Sequence, residues 1–145
     1  MTRYLLDTNI ISEASKPRPS IAIANWVRSR ADDNLFIAAL TVAEIWRGVL
    51  EVPSPRRRRE LEAWFAGAEG PPALFSGRVL SFDARAAMEW GRLMAAGTAE
   101  GRPRSPLAMV IAATAVANDC IVVSANERHF QGAVEFLNPM RAASS

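Results

Sequence analysis

Short apolar runs alternate along this chain with longer segments whose apolar residues recur every three or four positions. The short runs predict β-strands at 3–7, 34–38, 78–82, 120–124 and, more weakly, 134–137. The longer segments predict helices at 20–31, 41–51, 56–67, 83–99 and 106–118. Strands that alternate with helices are typical of a mostly parallel sheet with helices on both faces. The pattern therefore predicts an α/β fold.

The first apolar run ends abruptly in a carboxylate, Asp7, which Thr8 and Asn9 follow. Open α/β sheets place their ligand sites at the carboxyl ends of their strands. A carboxylate buried there costs folding free energy unless a metal, a cation or hydrogen bonds compensate its charge. The alternative is that Asp7 only caps the helix that follows.

A second acid, Glu44, lies in the helix predicted after the second strand. Thr41 as N-cap with Glu44 three residues later fits a capping box. The helix nevertheless begins at a strand's carboxyl end, as the chain after Asp7 does. Two acids at one edge raise each other's pKa unless a cation lies between them. Gly48, one turn after Glu44, leaves room for a substrate or a partner chain.

The exit of the fourth strand is a third candidate, because Ser124 and Asn126 offer a hydroxyl and an amide oxygen there. Asn126 could hold a metal or a water. A turn is the simpler interpretation, since serine and asparagine are common turn residues.

Length and composition narrow the protein class. A chain of 145 residues, half of them hydrophobic, predicts one globular domain over 1–145. The formal charge of +2 is too small to indicate a nucleic-acid partner. Arginine makes up 16 of the 17 basic residues, which favours a codon bias of the genome over selection for RNA binding. The single cysteine, Cys120, is expected in the core. Without an apolar run long enough for a bilayer or a signal peptide, we expect a cytoplasmic protein.

The three candidate segments, taken together, resemble the PIN domain family, in particular the VapC-like ribonuclease toxins of bacterial toxin–antitoxin pairs. The likeness runs almost the full chain in the family's order and spacing. It rests on 5–9, 43–45 with 47–48, 111–115, 124–130 and 134–139.

The resemblance implies an α/β/α sandwich with a four- or five-stranded, mostly parallel sheet. It implies an acidic pocket that binds Mg²⁺ or Mn²⁺ and hydrolyses RNA phosphodiesters. It also implies an antitoxin partner and a homodimer, with a higher toxin–antitoxin assembly as a further option. The family's first two acids fall on Asp7 and Glu44, and Asn126 falls near the metal. Thr8, Asn9 and Ser124 support the pocket.

The chain departs from the family at the start of the helix predicted over 106–118. Counting back from the Ile-Ala-Ala-Thr-Ala run places the family's aspartate at 108, where this chain has Ala108. With Ser105 as N-cap, an acid at 108 would also favour the helix dipole. A naturally weakened nuclease and a deliberate Asp→Ala substitution both account for the alanine, and the intact motifs slightly favour the second.

Four further residues are candidates for contacts with partners. Arg102 and Arg104 precede the helix of Ala108 and suit RNA phosphates or the acidic tail of an antitoxin. Trp46 and Trp64 are expected to pack in the core. In similar proteins their two helices form a groove for the antitoxin's helix.

The leading interpretation is a metal-dependent endoribonuclease toxin that is inactive or impaired as written. The alternative is a non-catalytic PIN-fold module that dimerises and docks a partner protein. A phosphotransfer domain with Asp7 as nucleophile fits poorly, because the chain lacks a second aspartate two residues later and a phosphate-binding glycine loop.

Overall fold

The sheet consists of five parallel strands in the order β3-β2-β1-β4-β5. The structure, a computed structural model, describes residues 1–142. The strands are β1 (Arg3–Leu6), β2 (Leu35–Ala38), β3 (Val79–Leu80), β4 (Cys120–Val123) and β5 (Phe136–Leu137). Every predicted strand is confirmed with shorter bounds. The central strand, β1, is the one that leads directly to Asp7.

Helices connect the strands. They are α1 (Thr8–Ala14), α2 (Ile21–Arg28), α3 (Ala39–Leu50), α4 (Pro55–Ala66), α5 (Pro71–Leu74), α6 (Ala84–Ala99), α7 (Pro106–Ala117), α8 (Glu127–Phe130) and α9 (Pro139–Ala142). The cap expected at Ser105 is confirmed, because its side chain accepts from the amide of Ala108. The side chain of Asp83 caps α6 in the same way, by accepting from the amide of Ala86. Within the described residues, no helix combines the length and the apolar character needed to cross a membrane.

The capping box predicted for α3 is wrong. The helix begins at Ala39, directly after β2, and its N-cap is Ala38 rather than Thr41. Thr41 instead lies on the buried stripe of α3 with Ile45 and Val49. Packing of this stripe sets the start of the helix two residues before the predicted one. The carboxylate of Glu44 is therefore available for contacts outside its own helix.

Two apolar clusters build the core. Because successive side chains of a strand point to opposite faces, Leu5 and Leu6 belong to different clusters. Leu5 packs with residues of α6, α7 and α8, among them Met109. Leu6 packs with residues of α1, α2 and α3, among them Ile10. The result is the expected α/β/α sandwich, with both faces of the sheet covered.

The segment between α6 and α7 folds back closely over α6 at Gly97. A Cβ atom on Gly97 would lie 2.9 Å from the backbone oxygen of Arg102 and 2.9 Å from Cγ of Arg104. The guanidinium of Arg104 donates to the carbonyls of Leu93, at 2.8 Å, and Gly132, at 3.2 Å. Arg104 thus ties three segments together at the entrance of α7.

We expect Gly97→Ala to lower the free energy of unfolding by about 1 kcal/mol or more, because the added methyl forces this segment off α6. The control is Gly91→Ala in the same helix, where a Cβ meets nothing within 4 Å. That control should gain roughly 0.5–1 kcal/mol from helix propensity. Thermal unfolding measures both, and equal shifts of the two variants would contradict the close packing at Gly97.

Candidate active site

Asp7 lies at the carboxyl end of the central strand. Its backbone amide donates to the carbonyl of Val123 at 2.8 Å, which extends the pairing of β1 with β4. Its side chain caps α1, with Oδ1 accepting from the amide of Thr8 at 2.8 Å. Asp7 therefore caps α1, but capping is not its only role, because Ser124 also donates to this side chain. The second carboxylate oxygen, Oδ2, remains for other contacts.

Ser124 supports that second oxygen. Its hydroxyl donates to Oδ2 of Asp7 at 2.8 Å and accepts from the amide of Asn126 at 2.9 Å. Nδ2 of Asn9 lies 3.2 Å from the same hydroxyl and 3.3 Å from Oδ2 of Asp7. Ser124 is fully buried. It therefore fixes the orientation of Asp7, a role that the turn interpretation did not foresee.

Thr8 connects Asp7 to Glu44. Its hydroxyl donates to Oε1 of Glu44 at 2.6 Å and lies 3.2 Å from the buried hydroxyl of Thr41. Since the amide of Thr8 holds Asp7, one residue orients both acids. Thr41 is a site residue that the sequence analysis assigned to a cap. Its spacing of four from Ile45, on the apolar stripe, is the signal that could have revealed its burial.

The environment of Asp7 favours its neutral form. Burial is the largest cause and raises the pKa of this carboxyl above its ordinary value. The hydrogen bonds from Ser124 and the amide of Thr8 lower the pKa, but they do not outweigh burial. The negative charge of Glu44 raises it further, and His129 lowers it slightly. A cation placed against Asp7 would offset both the burial and the repulsion.

Ala108 lies in the first turn of α7, where its amide donates to the hydroxyl of Ser105 at 3.2 Å. It is buried, 8% exposed, in the apolar cluster that includes Ala38, the last residue of β2. A methyl group thus occupies the position at which the resemblance implies an aspartate. In residues 1–142, no three acidic, histidine or cysteine side chains come together as a potential metal site.

A cleft of about 640 Å³ opens beside Asn126. The side-chain amide of Asn126 lies 3.1 Å from Nδ1 of His129, which also lines the cleft. Arg102 and Arg104 also line this cleft, so the structure brings both predicted arginines to the same cleft as Asn126. The guanidinium of Arg104 is nevertheless held by backbone carbonyls. Arg128, which the sequence analysis did not select, also lines the cleft.

The two tryptophans lie on adjacent helices, Trp46 in α3 and Trp64 in α4. A groove of about 460 Å³ between α1, α3 and α4 is lined by Glu44, Gly48 and Trp64 among others. The ring of Trp46 packs against Phe65, with centroids 4.8 Å apart, and remains 37% exposed. Trp64 therefore shares a groove with the second acid, whereas Trp46 contributes to the packing of α3 on α4.

Comparison with known proteins identifies the family to which this fold belongs. The family model of the PIN domain matches residues 4–135. The chain belongs to the PIN domain family. It is 36% identical, over 96% of its length and 99% of the relative's, to the VapC ribonuclease Y4jK of Sinorhizobium fredii. It is 32% identical to the plasmid stability protein StbB of Pseudomonas syringae, over 95% of this chain and 99% of that protein.

A solved structure shows the same fold. The crystal structure of FitAcB from Neisseria gonorrhoeae superposes on this PIN domain with a TM-score of 0.88 and 29% identity, over 94% of this chain and 98% of that one. These likenesses confirm the resemblance to VapC-like PIN toxins and the α/β/α fold.

The residues of this PIN domain fit a divalent ion only in part. Asp7 and Glu44 supply two carboxylates, both hydrogen-bonded to Thr8. Mg²⁺ accepts one or two carboxylates while it keeps several waters. Burial and the charge of Glu44 raise the pKa of Asp7, and a cation beside this carboxyl would favour its ionised form. The position of Ala108 supplies no oxygen. The set therefore suits weak binding of one ion.

We expect Asp7→Asn to raise the melting temperature near pH 7 in the absence of divalent ions. Because burial raises the pKa of Asp7 above its unfolded value near about 4, the ionised carboxylate destabilises the folded state above that pH. At about pH 3 both states are protonated and the cost vanishes. The advantage of asparagine should thus grow from pH 3 to pH 7, as followed by thermal unfolding. An equal or lower melting temperature of the variant at pH 7 would contradict this account.

Proposed function

We propose that this PIN domain is the endoribonuclease toxin of a toxin–antitoxin pair, dependent on Mg²⁺ or Mn²⁺ and impaired by Ala108. The observation that carries the proposal is the pair of acids held by Thr8 and Ser124 at the end of the central strand. The named activity of the 36% identical VapC ribonuclease supports RNA as the substrate class.

Each site residue has a proposed role. Asp7 and Glu44 hold the ion, directly or through water, and the side chain of Asn126 orients a water. When bound, the ion lowers the pKa of water and stabilises charge on the phosphate oxygens. Ser124 and Thr8 keep the carboxylates in place, because each contributes a hydrogen bond to one of them.

Loss of a carboxylate at position 108 reduces the negative charge of the site by one. The proposal therefore attributes weaker ion binding and little or no cleavage to the chain as it stands. The rest of the site is intact, so a single substitution should restore function.

We also propose that this protein binds a cognate antitoxin, forms a homodimer and is located in the cytoplasm. Complexes named FitAcB and FitAB, the second bound to a DNA fragment, support an antitoxin partner. The groove beside Trp64 and Gly48 is where we place the antitoxin's helix, because its wall is apolar and open. The two cleft arginines, Arg102 and Arg104, are placed against RNA.

A second function remains open because of Ala108 itself. A PIN domain without a complete acidic site could serve as a non-catalytic module that dimerises and docks a partner protein. Ala108 packs in the apolar core with Ala38. An alanine that contributes to the core favours this alternative more than an alanine on the exposed surface would.

We expect Ala108→Asp to give RNA cleavage at a rate at least about a hundredfold above that of the parent chain, because it completes the acidic set. Cleavage of a structured RNA is followed in Mg²⁺ or Mn²⁺ and again with EDTA, which should abolish it. Circular dichroism checks that the substituted chain still folds.

Ala108→Asn is the matched control, since it has the size of aspartate without its charge. It should stay as slow as the parent. The double variant Asp7→Asn with Ala108→Asp should also be inactive. No cleavage by a folded Ala108→Asp chain would refute the nuclease proposal and favour the binding module, whereas equal cleavage by the parent chain would refute its impairment.

A further inference from the structure

We propose that the cleft beside Asn126 binds a phosphate of the RNA strand that neighbours the phosphate at the acidic pair. This inference rests on the proposed function and adds a substrate contact to it. We call the cleft the basic cleft. It is lined by Glu100, Arg102, Pro103, Arg104, Ser105, Asn126, Arg128, His129, Gln131 and Gly132.

The charge of the basic cleft is carried by two of its arginines. Arg104 is only 11% exposed, and it pairs with Glu100 at 3.4 Å. Arg102 and Arg128 are both exposed. Among the described residues, neither has a carboxylate within ion-pair distance. Two cations therefore face the cleft without a neutralising acid, while Glu100 is engaged by Arg104.

A chain of two hydrogen bonds links a lining residue of the basic cleft to Asp7 of the acidic pair. The amide of Asn126, a lining residue, donates to Ser124 Oγ at 2.9 Å, and that hydroxyl donates to Asp7 at 2.8 Å. Ser105, at the N-terminus of α7, lines the cleft as well. The positive end of the helix dipole adds to the field there. A strand whose phosphate reaches Asp7 would thus continue past two arginines.

The lining indicates the chemistry of the occupant. Pro103 is its one apolar side chain among the ten lining residues, so the cleft favours a polar and charged ligand over an apolar one. Its volume of about 640 Å³ is within the range of small-molecule and cofactor sites. Arginine forks match phosphate oxygens in geometry and charge. Sugar and phosphate of a single RNA strand meet these requirements.

The test uses the parent chain, in which Ala108 keeps cleavage slow, and a fluorescein-labelled single-stranded RNA of about twelve nucleotides. Fluorescence anisotropy measures the Kd at several salt concentrations. We expect Arg102→Ala and Arg128→Ala each to weaken binding about fivefold at low salt. Each should also reduce the slope of log Kd against log salt by about 0.7, the value for one phosphate contact on a single strand.

Arg85→Ala is the matched control. Arg85 is an exposed arginine in the first turn of α6, roughly 22 Å along the helix from the end that borders the cleft. This substitution removes the same charge from the protein, so it should leave both the Kd and the salt slope unchanged. An effect equal to that of Arg102→Ala would mean that overall charge, not the cleft, binds RNA, and would overturn the inference.

The same substitutions are then placed in the Ala108→Asp background. If that background cleaves RNA and its kcat/KM does not change with Arg102→Ala or Arg128→Ala, the cleft proposal fails while the nuclease proposal stands. If the Ala108→Asp background does not cleave RNA but RNA binding still depends on both arginines, the nuclease proposal fails while the cleft proposal stands. Absence of RNA binding refutes the cleft proposal. A labelled acidic peptide is titrated in parallel, and binding that depends on these arginines only with the peptide also refutes it.

Discussion

The structure depends on one electrostatic constraint, the partial burial of Asp7 at the end of the central strand. Burial raises the pKa of this carboxyl, and Glu44 raises it further. The fold compensates with hydrogen bonds from Ser124 on one side and the amide of Thr8 on the other. Those donors come from the exit of β4 and from the start of α1. The pairing of β1 with β4 therefore sets the geometry of the acid.

The second acid depends on the same support. Thr8 donates its hydroxyl to Glu44 and its amide to Asp7, so the first turn of α1 fixes the relation between the two carboxylates. The two carboxylates repel each other when both are ionised, and an added cation would reduce this repulsion. Ala108 lowers that charge by the absence of a third acid.

Much of the fold could be predicted, because each strand is a short apolar run and the long helices are either apolar along one face or, like α7, apolar throughout. Asp7, Glu44 and Ser124 could be selected because they follow strands whose carboxyl ends meet at one edge. The start of α3 could not be predicted from its cap. Burial of Thr41 decides it, and local sequence preference does not report tertiary packing.

The basic cleft shows a further limit of the sequence. Arg102 and Arg104 have the same charge and lie two residues apart, yet one is exposed and the other is tied to the carbonyls of Leu93 and Gly132. The close approach at Gly97 produces this difference. Arg128 of α8 lines the same cleft, and no spacing in the sequence connects it with Arg102.

The central claim is that an acid at position 108 would complete a cation site that includes Asp7. Electron paramagnetic resonance of free Mn²⁺, titrated with the parent chain, Ala108→Asp and Asp7→Asn, tests it without RNA. The account predicts that Ala108→Asp binds Mn²⁺ at least about tenfold more tightly than the parent, and that Asp7→Asn binds most weakly. Equal affinities of the three folded chains would contradict it.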